Sequence, residues 1–371
     1  MQALRVYDEL TAARTRFLRL DELCRRAGEK GVLPSGDELA AEARLPLREK
    51  KGLERAQGLF LAEILGNPVA GTHLCHAMLL PREDAKARLP AYEETGEADL
   101  GAVHLKRQGK ASVVTMRNPR YLNAEDETTL APLETAVDLA LLDPKTEVCV
   151  LRGDAVTHPK YAGKRVFGAG INLTHLYEGK IRYLWYLIRD LGLVNKFYRG
   201  LASADASPEL ASTEKLWIAA VEGFAIGGHC QILLTMDCTI AAEDAYLTLP
   251  ARKEGIVPGA ANLRLPRFVG DRIARQAILA ERRIECDSAE GRMICDIVVA
   301  PGSIDEALAA TIERLSSSGV VSAAANRRAF RAGEEPLDTF RRYMAIYARE
   351  QADCHFSPAL IANLERNWKK R

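Results

Sequence analysis

Near Leu100 the spacing of apolar residues changes from three-and-four to two, and this change restricts what the chain can become. AVHLKRQGKASVVTMRN reads as two short strands across a turn at Gly109, and AEDETTLAPLETAVDLALLD reads as the helix that follows. Further strands are expected in TEVCVLRGD, KLWIAAVEG, CTIAAED and AYLTLP. Strands alternating with helices from about residue 100 to 300 predict an α/β core rather than a bundle. On the amino-terminal side, YDELTAARTRFLRLDELCRRAG and KGLERAQGLFLAEILG have helical periodicity, punctuated by Gly28, Gly31 and Gly66. Beyond Pro301 the pattern is helical again, through SIDEALAATIERLSSS, VSAAANRRAFRA, PLDTFRRYMAIYAREQADC and SPALIANLERNWKKR. The expected organisation is a helical domain over 1–98, an α/β core over 99–310 and a helical region over 311–371. In 190–216, Ala, Ser, Asp and Pro dilute the apolar content, so a mobile loop is predicted there.

Charge and cysteine usage exclude several functions. Fifty-one Lys and Arg against 50 Asp and Glu leave a net charge of +1, so no overall field draws the chain to nucleic acid or an anionic membrane. The amino terminus mixes acids and arginines where a signal peptide needs an apolar run, and no segment reaches the roughly 18 apolar residues of a spanning helix. A cytoplasmic protein is expected. The eight cysteines include no CxxC pair and read as packed thiols. HLCH at 73–76, His229 with Cys230, and Cys354 with His355 lack the regular double pairs of a zinc site, so no metal is expected. P-loop, HExxH and GxSxG motifs are absent, and the GAG at 168–170 lacks the third glycine of a dinucleotide fingerprint.

Two glycine turns carry the chemistry. A helix opening at Gly227-Gly228 in VEGFAIGGHCQ leaves its first amide N–H groups without partners at the positive end of its dipole. A second turn, RVFGAGINL at 165–173, also ends a strand-like segment. Together they can direct two N–H groups at one carbonyl oxygen and stabilise an enolate or tetrahedral oxyanion. Either turn alone is more often explained by close helix–strand packing.

FGAGINL, then VEGFAIGGHCQ, then PARKEGIVPGAANLRLPRFVG resemble the crotonase (enoyl-CoA hydratase/isomerase) superfamily across about 100–310. The resemblance implies a ββα spiral core with helical flanks, assembly as a homotrimer or homohexamer, and an acyl-CoA thioester as substrate. It assigns the two oxyanion amides to Ile171 and Gly228. Hydratases of the family place acids where this chain has Gln231 and Ala251, neither of which can move a proton usefully. Further similarity in MRNPRYLNAEDE, SSSGVVSAAANRRAFR and REQADCHFSPALIANLERNW points to a cofactor-independent branch that oxygenates a dihydroxyphenylacetyl thioester with O2.

On that resemblance Gln231 hydrogen-bonds the thioester or its oxygenated intermediate. Glu125 anchors a ring hydroxyl or shifts a proton, and Arg189 completes the polar group around the ring. Ile256 and Val257 would line an O2 pocket. Because CoA carries phosphates, Arg117, Arg120, Lys164 and Arg165 are candidate contacts, with the Ala169 backbone meeting the adenine. Each of these residues also has an ordinary structural explanation. A thioesterase on the same scaffold and a non-catalytic acyl-CoA-binding protein stand as alternatives.

Overall fold

The computed structural model describes residues 2–317 and 319–367. Seven strands form one sheet in the spatial order Glu97–Asp99, Val103–Gln108, Ala111–Met116, Val148–Gly153, Leu216–Val221, Cys238–Ala242 and Ile297–Val299. The first three are antiparallel and the rest run parallel. Gly109, at φ 55°, makes the hairpin turn expected for it. The strand Leu216–Val221 is buried along nearly its whole length, as its continuous apolar run requires of a central parallel strand.

The chain leaves that strand at Glu222-Gly223 and enters a second, three-stranded sheet through Phe224–Ile226, which runs parallel to Tyr246–Thr248. A bridge from Gly168 to Ala225 ties the first glycine turn to this small sheet. The two turns are thus delivered to one place by strand pairing. Helix Glu127–Leu142, opened by a capping box between Asp126 and Thr129, lies against the large sheet through Leu133, Ala136, Val137 and Ala140.

Among the described residues six α-helices and the 3-10 turn Leu47–Glu49 precede the sheet, and their apolar faces join the same core as the strands. Helix Arg55–Gly66 packs along Leu337–His355. Burying Phe60, Leu61, Ile64 and Leu65 there stabilises by about 2 kcal/mol for each side chain. The edge strand Glu97–Asp99 spans the boundary expected at 98, and helix Ile304–Ser316 spans that at 310. The last helix is Pro358–Asn367, and the final four residues of SPALIANLERNWKKR lie outside the described residues.

The expected mobile loop at 190–216 is corrected by the structure. Tyr183–Ile188, a π-helical turn at Arg189–Val194 and Asn195–Arg199 form one continuous, buried helical passage. The charge this passage carries is neutralised inside. Lys196, fully buried, holds Asp138 at 2.7 Å and Glu134 at 2.8 Å. Irregular chain begins only after the short strand Leu201–Ala202.

Candidate active site

Gly170 and Gly228 face each other across the meeting point of the two turns. Gly170 has φ 76°, and a Cβ placed on it would stand 2.7 Å from the Ile226 carbonyl oxygen and 3.3 Å from the Gly228 amide nitrogen. Only glycine keeps that space open. Among the described residues, the N–H groups of Ile171 and Gly228 donate to no backbone or side-chain acceptor. The turn holding Ile171 is fixed on both sides, since Glu125 N–H donates to Gly170 O at 2.7 Å and Asn172 N–H donates to Glu125 O at 2.8 Å.

Behind the amides lies a buried polar group drawn from three distant segments. Arg189 donates through Nε and Nη2 to the two Glu125 oxygens, each at 2.8 Å, and through Nη1 to Gln231 Oε1 at 3.0 Å. Its Nη2 also reaches Gly228 O at 2.7 Å, so the guanidinium braces the second glycine turn directly. A Cβ on Gly228 would run into the Glu125 carboxylate and come 2.8 Å from Arg189 Nη2. Burial alone would raise the Glu125 carboxyl, but the Arg189 guanidinium outweighs it and holds the group below the ordinary carboxylate range. Asp190, also buried, lies 3.5 Å from Arg189 and is raised by desolvation.

His229 is the residue the sequence considered only as a metal ligand. Its Nδ1 accepts the Gly170 N–H at 2.9 Å, which requires that nitrogen to be unprotonated. Burial lowers its pKa to about 4, so the ring is neutral and serves to hold the first turn in place. Among the described residues, no three His, Cys, Asp or Glu side chains are grouped as a metal site.

Ile171, Gly228, Gln231, Arg189, Ile256 and Val257 all line one cavity. Glu125 stands behind it, in contact through Arg189. The space open to a water-sized molecule in the cavity is about 20 Å³. Tyr347 of helix Leu337–His355 closes one side. Gln351 of the same helix accepts the Val257 N–H at 2.8 Å.

The candidate phosphate contacts fall elsewhere. Arg117 pairs with Asp99 and Asp154, and together with Arg165, His104 and Arg152 it lines a separate groove. Arg120 is exposed beside Tyr121, and Lys164 is exposed. Ala169 donates its N–H to Leu122 O at 3.1 Å. Ala251 is buried at the cavity wall, where it offers no acid.

The family pattern for enoyl-CoA hydratase/isomerase matches residues 106–354, and the chain belongs to that family. It is 47% identical over 350 residues to the (3,5-dihydroxyphenyl)acetyl-CoA 1,2-dioxygenase of Amycolatopsis orientalis, covering 94% of this chain and 80% of that one. Identity to the short-chain-enoyl-CoA hydratase of Clostridium acetobutylicum is 29%, over 65% of this chain and 85% of the relative. Among solved structures, an enoyl-CoA hydratase from Mycobacterium avium subsp. paratuberculosis superposes with TM-score 0.59 at 21% identity, covering 72% of this chain and 99% of that one. That likeness establishes the fold, and the crotonase-like core expected from the sequence is present.

Proposed function

We propose that the chain is a dioxygenase converting (3,5-dihydroxyphenyl)acetyl-CoA and O2 to 3,5-dihydroxyphenylglyoxylate and CoA, the keto acid behind the dihydroxyphenylglycine of vancomycin-type antibiotics. The likeness to the Amycolatopsis enzyme over 94% of the chain carries this reading. The amides in Gln231 and the methyl of Ala251, at the positions of the hydratase acids, support it against hydration.

In this reading the N–H groups of Ile171 and Gly228 hold the thioester oxygen, so that loss of a Cα proton gives an enolate stabilised by both amides and by the ring. The electron-rich carbanion reduces O2 to a peroxide at Cα. The peroxide attacks the thioester carbonyl and expels CoA as thiolate. Loss of the second Cα proton then breaks the O–O bond and leaves the keto acid. Both oxygen atoms of O2 enter the product, and the substrate supplies the electrons, so neither metal nor flavin is required. Gln231 orients the oxygenated intermediate, and the Glu125–Arg189 pair holds the ring hydroxyls and the second turn. Ile256 and Val257 border the path of O2. The assembly is a homotrimer or homohexamer acting in the cytoplasm.

The test is aerobic and anaerobic incubation of chelator-treated protein with (3,5-dihydroxyphenyl)acetyl-CoA, following O2, free CoA and keto acid. Equal consumption of O2 and release of CoA, with oxygen-18 in both new positions, is expected. CoA release without O2 uptake would make the protein a thioesterase, and dependence on added iron or flavin would overturn the cofactor-free route.

A further inference from the structure

The two acids missing at 231 and 251 leave the Cα proton without an acceptor, yet the cavity contains a carboxyl that motif positions do not reveal. Glu254 ends the short helix Ala251–Glu254. Residues three apart share a helix face, so Glu254 presents its side chain on the side where Ala251 also meets the cavity. It is 4% exposed, and among the described residues no hydrogen bond or ion pair engages its carboxyl. The neighbouring Lys253 ammonium points instead to Glu281 at 3.4 Å. Glu254 Oε2 lies 3.8 Å from where Gly227 would carry a Cβ, which puts the carboxyl beside the second glycine turn.

The other two carboxyls of the site each face the Arg189 guanidinium, although Asp190 Oδ1 makes no hydrogen bond. Glu125 is held two-fold by Arg189, and Asp190 faces the same guanidinium and the Tyr347 hydroxyl. A buried carboxyl without a hydrogen bond or ion pair is costly, and this one makes neither in return.

We propose that Glu254 is the proton acceptor for the thioester Cα. The inference rests on the dioxygenase reading above. The Cα–H bond breaks, its electron pair moves into the enolate held at Ile171 and Gly228, and the proton passes to the carboxylate. The neutral acid then protonates the departing CoA thiolate, which returns Glu254 to its charged form. Burial raises its pKa to about 8, which suits a base working near neutrality. The titratable groups around it are Tyr186, Arg189, Asp190 and Tyr347 on the cavity wall and Lys253 on its own helix.

Turnover of Cα-protio and Cα-dideutero substrate across the pH range should be compared for the wild type, Glu254→Gln and Glu254→Asp. Wild-type kcat/KM is expected to rise with pH through an apparent pKa near 8. Glu254→Gln should lower kcat about 100-fold with KM little changed and abolish that rise, and Glu254→Asp should recover part of it. Persistence of the rise in Glu254→Gln, or kcat within about threefold of wild type, overturns the proposal. A wild-type profile flat from about pH 7 to 9 overturns it whatever the variants do. Wild-type protein that consumes no O2 with any arylacetyl-CoA refutes the dioxygenase reading instead, so the two failures are distinguishable.

Discussion

At the residue scale, the site depends on space that side chains do not fill. Gly170 sits in the left-handed region and faces the Gly228 amide across a gap too narrow for a methyl group. Gly170→Ala should therefore cost about 1–2 kcal/mol in backbone strain. Its larger effect is expected on catalysis, because the new Cβ displaces the thioester oxygen from both amides. Loss of oxyanion donors lowers kcat by about 100-fold or more. Steady-state kinetics beside a circular dichroism melting curve separate the two effects, and unchanged kcat in a folded variant would remove the oxyanion role from these turns. The glycines were legible because turn chemistry is local. Glu254 was not, since nothing in KEG distinguishes a buried carboxyl from a solvated one.

At the scale of elements, the helical passage from Tyr183 to Arg199 shows how charge is carried through a core. Lys196 from this passage meets Asp138 and Glu134 of helix Glu127–Leu142, and Arg19 from the amino-terminal region also reaches Glu134 at 2.7 Å. Breaking such a pair leaves carboxylates buried without compensation. Lys196→Met should cost about 3–5 kcal/mol. Lys253→Met, which removes only a partly exposed pair with Glu281, should cost under about 1 kcal/mol. Urea midpoints for the two variants give the comparison, and equal shifts would mean that the buried network contributes little. The same passage carries Arg189 and Asp190 on a π-helical turn, a local widening often found at functional sites. Composition pointed to a loop because Ala, Ser, Asp and Pro dilute the apolar content of 190–216, whereas the charges of Arg189 and Lys196 are made tolerable inside by carboxylates 64 and 58 residues away.

For the molecule as a whole, acid should act through buried histidines. His229 and His355 are fully buried, and desolvation lowers their pKa from 6.5 to about 4 and about 3. Unfolded, both take up a proton near pH 6.5, so the stability they favour is complete above that pH and is lost as pH falls toward 4. For His229 alone the loss approaches about 3 kcal/mol. Glu254 acts in the opposite sense, since its raised pKa disfavours the folded state as pH rises from 4.5 toward 8. His355→Phe keeps the edge contacts with Tyr186 and Phe356 and removes one of the two histidine contributions. Its melting temperature should fall less than that of the wild type between about pH 7 and pH 5, as calorimetry would show; parallel curves would contradict this account. The linear order of residues by itself determined the alternating core, the two glycine turns and the absence of acids at 231 and 251, because periodicity and turn chemistry act over a few residues. Tertiary structure alone decided that Arg189 braces Glu125, Gln231 and the Gly228 carbonyl at once, that Arg117 and Arg165 line a different groove, and that Glu254 faces the cavity. The charges of Arg189 and Lys196 are buried against carboxylates 64 and 58 residues away in the chain, and no local pattern specifies where those partners will be.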